Sequence, residues 1–329
     1  MQGVKIKPGV PAPTMAARLG DVIDERHKAE YRELRAADLV NRRIARPMPF
    51  GNTINPYRGC SSGCVYCYAR YTHDFLGHND PIEFERTIYV KRGDPARLRK
   101  SLERARRSRT LVAIGTATDP YQAGEGRFAI TRGVLEAAAR LPGLRLSITT
   151  KGTLVTRDLD LLRTIADRSE LSVNFSITTT DVDLARKLEP RAPRPDLRFK
   201  AMRALAGAGI TTRLFIMPVL PCLTDGEGNL RALLTAARDA GADGAECNVL
   251  FLREKVREFF FESLSAHFPE LLPAYRELYA RSAYVPRDTA REIEARVARL
   301  AAEAGLTSRW RADRSETRTR PANQLSLIW

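Results

Sequence analysis

The stretch "INPYRGCSSGCVYCYAR", residues 54–70, places Cys60, Cys64 and Cys67 within eight positions. A C-x3-C-x2-C run can wrap three corners of a cubane iron–sulfur cluster, for which thiolates are the right ligands. Gly59 and Gly63 let the backbone pass close to such a cluster. Three protein ligands leave one metal position open, and an open position marks a reactive centre. Zinc is the structural alternative, and it needs a fourth ligand, for which His73 and His78 are candidates. Five cysteines in 329 residues do not make a disulfide framework. Cys222 and Cys247 stand alone, and Cys247 falls inside a predicted strand, where it belongs to the core.

The elements that must position this loop follow from periodicity. Strand candidates are short and apolar or β-branched: Asn52–Pro56, Leu111–Thr116, Arg145–Thr150, Leu171–Thr178, Thr211–Val219 and Gly244–Leu252. A further strand, Thr87–Val90, lies outside that series. Helical patterns intervene at Pro95–Arg107, Thr131–Arg140, Asp158–Ala166, Val182–Leu188, Asp196–Ala208 and Asn229–Ala240, with Gly143, Gly207, Gly209 and Gly241 at their stops. This alternation implies a parallel sheet, and six units imply an α/β fold built as a partial (β/α)6 TIM-like barrel. Before it, residues 1–48 form an N-terminal arm with one charged helical stretch over Ala16–Ala37. The barrel spans 49–252. Helices at Arg253–Ser263, Pro269–Ala280 and Arg287–Ala304 make a C-terminal extension over 253–304, and 305–329 is a basic tail. In parallel α/β folds ligands meet the C-terminal ends of the strands, so the cysteine loop lies at the active face.

The chain carries a net charge of +15 and a pI of about 10.0. That balance favours a polyanionic partner, with nucleic acid first; an Arg-rich style with well-solvated helix faces is the competing account. No apolar run approaches ~18 residues, so no membrane span is expected. The N-terminus has no continuous apolar signal region, and the expected location is the cytoplasm.

C-x3-C-x2-C with an aromatic residue before the third cysteine resembles the signature of radical S-adenosylmethionine enzymes. Together with "IGTATDPYQ", "ITTKG", "SITTTD", "LEPRAPRPDLR" and "MPVLP", it resembles the spore photoproduct lyase-like branch of that family across roughly residues 45–260. The resemblance implies a [4Fe–4S] cluster on Cys60, Cys64 and Cys67, with S-adenosylmethionine on the fourth iron. One electron then cleaves the sulfonium to a 5′-deoxyadenosyl radical that abstracts hydrogen from substrate. A reductant such as flavodoxin or ferredoxin is implied as a partner, and DNA repair as the activity.

The same resemblance assigns roles. Tyr66 packs against the adenine of the cofactor, and Tyr66 and Tyr68 match a tyrosine pair that relays a hydrogen atom; both as packing residues is the alternative. Lys151 pairs with the cofactor carboxylate. Ser176 bonds its ribose or carboxylate, or caps a strand end. Thr116 is a further cofactor contact. Arg198 reaches a carboxylate or phosphate, with Glu189 and Arg191 in the same stiff, proline-rich loop. A structural Glu–Arg pair is the other reading of that loop. Asp119, Tyr121 and Gln122 contact substrate or cofactor, or build a rigid turn on Asp119-Pro120. In one respect the chain departs from this branch: where it has a hydrogen-donating cysteine, Thr116–Thr118 stand here. Cys222 is a replacement donor, or a small buried hydrophobe.

The terminal Gln324–Trp329, "QLSLIW", resembles the peptide by which bacterial DNA-processing proteins dock on the sliding clamp, with Ile328-Trp329 where Phe is usual. The leading expectation is therefore a radical enzyme acting on nucleic acid. A radical enzyme acting on a peptide or small metabolite, and a non-catalytic iron–sulfur or zinc protein that binds nucleic acid, are the alternatives.

Overall fold

Short β-branched runs separated by amphipathic helices fold here into a parallel sheet with helices on its outer face. The computed structural model describes residues 19–26, 29–42 and 49–306; the clamp-like peptide and the basic run Arg309–Arg320 lie outside them. The strands are β1 (Leu19–Arg26), β2 (Ala29–Ala36), β3 (Val40–Asn41), β4 (Asn52–Ile54), β5 (Tyr57–Arg58), β6 (Thr87–Gly93), β7 (Val112–Ile114), β8 (Arg145–Thr150), β9 (Glu170–Ser176), β10 (Thr211–Val219) and β11 (Gly244–Val249). The helices are α1 (Glu83–Arg86), α2 (Pro95–Arg107), α3 (Glu125–Phe128), α4 (Ile130–Ala139), α5 (Leu159–Ala166), α6 (Val182–Leu188), α7 (Pro195–Gly207), α8 (Glu227–Asp239), α9 (Glu254–His267), α10 (Leu272–Leu278) and α11 (Arg287–Glu303).

One sheet runs in the order β11-β10-β9-β8-β7-β4-β3. Its six strands from β4 to β11 are parallel, and they are the six expected from the alternation. The short antiparallel strand β3 was not anticipated and forms one edge. With β11 at the other edge the barrel stays open, a partial TIM-like fold. Ile54, Ile114, Ile148 and Val173 pair in register across four neighbouring strands and are fully buried. That shared layer aligns the strand ends, so the loops after β4, β7, β8 and β9 emerge side by side.

Where one helix was expected over Ala16–Ala37, the described residues 19–26 and 29–36 form strands instead. β1 and β2 pair antiparallel, β2 runs parallel to β6, and β5 closes the order β1-β2-β6-β5. Ala, Glu, Arg and Leu favour helix by only tenths of a kcal/mol each. Burial of Ala29 and Tyr31 against Tyr57, Ile88 and Val90 in a small separate core outweighs that. The helix stop expected at Gly207 also moves: Gly207 is the last residue of α7, and Gly209 makes the left-handed turn at φ +80°. The C-terminal helix expected at Pro269–Ala280 divides into a 3-10 turn, Pro269–Leu271, and α10.

Candidate active site

The cysteine loop leaves β5 and ends where a 3-10 helix, Tyr68–Leu76, begins. Gly59 and Gly63 both take positive φ, +93° and +69°. A Cβ on Gly59 would meet the Phe84 and Thr87 carbonyl oxygens at 2.9 Å, and one on Gly63 would meet Arg191 Nη2 at 2.6 Å. Positive φ thus favours glycine twice within five residues, and at Gly59, against two backbone oxygens, space requires it as well. The three cysteines are free thiols; Cys60 and Cys64 are buried and Cys67 is half-buried. Burial pushes all three thiols up, Cys60 to about 11, while Lys151 pulls Cys64, and Arg70 ahead of Lys151 pulls Cys67, back toward the thiolate.

The loop after β7 braces this segment. Asn55 Oδ1 accepts from Ala117 N at 2.8 Å, and the Asn55 amide pairs with the Thr116 hydroxyl. Thr118 Oγ1 donates to Gly59 O at 2.6 Å and Gln122 Nε2 does so at 3.2 Å, while Gln122 Oε1 accepts from Ser61 N at 2.9 Å. Asp119 reaches sideways to β8: its carboxylate accepts from Thr150 Oγ1 at 2.5 Å and from Lys151 N at 2.7 Å. Asp119 and Gln122 thus work here as a rigid turn, and Tyr121 lies in the core. The Thr116 carbonyl accepts from the Tyr68 hydroxyl.

Lys151, from the end of β8, extends across the sheet. Its Nζ donates to Ser176 Oγ at 2.6 Å, pairs with Glu189 Oε1 at 3.0 Å and lies 5.6 Å from the centre of the Tyr66 ring. Glu189 follows α6 and is 1% exposed. It accepts from the Tyr66 hydroxyl and forms an ion pair with Arg198. Arg198 is also 1% exposed, and it donates to Pro193 O at 2.7 Å and Ser176 O at 2.9 Å. Burial resists ionisation of Glu189, but Arg198 and then Lys151 outweigh it and hold its carboxyl at about 2. Two cations share one carboxylate, so this buried cluster carries an excess positive charge beside the cysteine loop.

The structure thus brings Tyr66, Lys151, Ser176 and Arg198 into one network, with Glu189 as its hub. Tyr68 stands at the adjacent strand end, its ring 5.4 Å from Phe251, which stacks on Tyr284 at 5.6 Å. Cys222 lies apart: it is exposed, in the left-handed region at φ +63°, in the turn after β10. Burial and Asp225 both push its thiol up. Cys247 is half-buried and packs on the main core.

His73 and His78 sit in an aromatic group with Phe84 and Tyr89. His73 Nε2 is 2.8 Å from Thr87 O and His78 Nε2 is 2.7 Å from Tyr89 Oη. Burial lowers His73 to about 4. Among the described residues no three thiol, imidazole or carboxylate groups converge on a single-ion position; a cubane takes one thiolate per iron, so its ligands need no such convergence.

Sequence reasoning missed a second charged group. Arg70 is 1% exposed and donates to Cys64 O from Nε and Nη2, and to Pro81 O from Nη1. It pairs with buried Glu85, whose other oxygen lies 2.6 Å from Arg191 Nη2. An arginine three residues after the last cysteine was the available signal, but its partner comes from α1, a four-residue helix too short to read.

Residues 54–234, more than half of the chain, match the family described as the Radical SAM superfamily. An uncharacterized protein of Mycobacterium tuberculosis is 41% identical over 273 residues, spanning 83% of this chain and 80% of its own length. An uncharacterized protein of Acidianus two-tailed virus is 27% identical over 261 residues, spanning 72% and 84%. Among solved structures, spore photoproduct lyase with bound AdoMet and dinucleoside spore photoproduct superposes with a TM-score of 0.59 over 79% of this chain and 76% of that one. At 19% identity this is a likeness of fold.

Proposed function

The chain belongs to the radical SAM superfamily, whose members bind a [4Fe–4S] cluster and S-adenosylmethionine, and from that premise we propose that it is a radical enzyme with Cys60, Cys64 and Cys67 as the cluster ligands. The donor set fits: three free thiols on one loop, held where only glycine backbone can pass, with excess positive charge alongside. When bound, the two cofactors supply reductive sulfonium cleavage and hydrogen-atom abstraction from substrate.

The carrying observation is the Lys151–Glu189–Arg198 cluster next to that loop. Glu189 and Ser176 fix the Lys151 ammonium, so Lys151 is ready to pair with the carboxylate of S-adenosylmethionine without first ordering a flexible side chain. Tyr66, pinned through its hydroxyl, presents its ring as a wall for the adenine. Thr116 lines the neighbouring strand end. Tyr66, Tyr68 and Cys222 are assigned to hydrogen-atom return, with the Tyr68 hydroxyl resting on the Thr116 carbonyl. Anaerobic reconstitution, reduction with dithionite and addition of S-adenosylmethionine should yield 5′-deoxyadenosine; a protein that takes up no cluster and cleaves no cofactor would overturn the reading. Lys151→Met should weaken S-adenosylmethionine binding by about 10- to 100-fold, the range of a charge-assisted hydrogen bond, as read by equilibrium binding to the reconstituted protein.

Nucleic acid is the substrate class we favour, with lyase-like DNA repair as the activity. The net charge of +15 supports it, as does the likeness of fold to spore photoproduct lyase, solved with a dinucleoside lesion. A reductant such as flavodoxin or ferredoxin completes the reaction, and the sliding clamp is the proposed partner of the tail. No helix among the described residues is long and apolar enough to cross a membrane, and we assign the protein to the cytoplasm. One observation favours a peptide or small-metabolite substrate instead: Thr116 and Thr118 are engaged in bracing the cysteine loop where a donor cysteine would stand. Lesion-containing DNA that neither binds nor stimulates cofactor cleavage would decide for that second reading.

A further inference from the structure

The Arg70–Glu85–Arg191 group has no part in the proposed S-adenosylmethionine site, yet it is nearly as well built as the Lys151–Glu189–Arg198 group. Glu85 bridges the two arginines. Each arginine then ends on a carbonyl of the cysteine loop. Arg191 Nε donates to Ser61 O at 2.7 Å and its backbone N–H to Ser62 O at 3.1 Å. Arg70 donates to Cys64 O at 2.9 and 3.3 Å. The face of its guanidinium lies 4.2 Å from the Phe259 ring centre, so its position is fixed from α9 as well. Gly63 leaves the space that Arg191 occupies.

A trans peptide sends its C=O and its N–H in opposite directions. Holding the Ser61 carbonyl on Arg191 therefore turns the N–H of the same peptide, that of Ser62, to the other side. On the same residue, the Ser62 hydroxyl lies 3.5 Å from the Cys60 sulfur, within reach of donating to it as a thiolate. Hydrogen bonds to ligand sulfurs and nearby net charge are two of the terms that set an iron–sulfur potential. Both act in one direction here: each favours the more negative, reduced state.

We propose that Arg70, Glu85 and Arg191 are positioning residues that orient the Cys60–Cys64 peptides and hold the cluster's reduction potential high enough for its electron donor. This rests on the assignment of the three cysteines as cluster ligands. Arg191 is the residue to vary, because its side chain is 34% exposed while that of Arg70 is 1% exposed. In Arg191→Gln the midpoint potential, read by EPR-monitored redox titration, should fall below wild type with iron content per chain unchanged. Arg191→Lys, which keeps the charge but loses the fork, should fall between them. A folded Arg191→Gln protein with full iron content and an unshifted potential overturns the proposal. So does a folded one that takes up no iron, since Arg191 would then govern assembly rather than potential. Circular dichroism of the metal-free proteins establishes folding, and should Arg191→Gln not fold, the Arg191→Lys potential decides on the same terms. A wild-type protein that forms no cluster would instead defeat the ligand assignment on which this builds.

Discussion

Glu189→Ala should destabilise the fold by about 3–5 kcal/mol, the cost of leaving a buried charge without its partner. The variant strands Arg198, 1% exposed, and Lys151 with no carboxylate between them, and it frees the Tyr66 hydroxyl. Urea unfolding of the metal-free protein measures this without any contribution from cofactors. The pH dependence has a definite sign. The unfolded carboxyl titrates near ~4.3, and the folded one is held at about 2 because Arg198 and Lys151 outweigh burial. The stabilising contribution is therefore complete above pH ~4.3 and is lost as pH falls through about 2. Glu189→Gln, which does not titrate, should lack that slope. Its stability deficit against wild type should shrink between pH ~5 and pH ~2. A deficit that stays constant over that range would mean that Glu189 acts through shape and not charge.

Cys60→Ala, Cys64→Ala and Cys67→Ala should each reduce bound iron and sulfide to background and take 5′-deoxyadenosine formation below detection. A three-ligand cluster has no spare thiolate nearby: Cys222 is in an exposed turn after β10 and Cys247 is on β11. Cys247→Ala should keep full iron. Each substitution should cost the metal-free fold only about 1 kcal/mol, the ordinary scale of a point change. Separate loss of iron and retention of fold would mark the three residues as ligands. Full iron in any one of the three variants would remove that residue from the set.

The two experiments address different layers of one site. On the proposed assignment, cysteine loss should remove the metal, whereas loss of Glu189 should leave the thiols in place and disorder the groups around them. The second is the more informative about what the fold supplies, because a cluster-binding loop alone makes no pocket for a carboxylate, an adenine and a substrate. The in-register layer Ile54–Ile114–Ile148–Val173 sets four strand ends level. Asp119 then ties the loop after β7 to the backbone of Lys151 at the end of β8. Ser176 on β9 receives the Lys151 ammonium.

The amino-acid sequence by itself determined what is local. Cysteine spacing, the glycines between, and apolar repeats of period two and period 3.6 are carried by neighbouring residues, so the loop and the six parallel strands were legible. The aromatic residue before Cys67 and the lysine ending β8 were legible for the same reason. Only the tertiary structure decided which charges meet. Glu189 lies 38 residues from Lys151 and nine from Arg198 along the chain, and nothing local distinguishes a hub from a solvated carboxylate. The same holds for Arg70 and Arg191, joined by Glu85 from a four-residue helix. The N-terminal strands failed to show themselves because helix propensity is a local quantity, while parallel pairing with β6 and burial of Tyr31 depend on residues far along the chain. Local periodicity is written in the order of the residues; the pairing of buried charges is set by the folded sheet that brings distant strand ends within hydrogen-bonding distance.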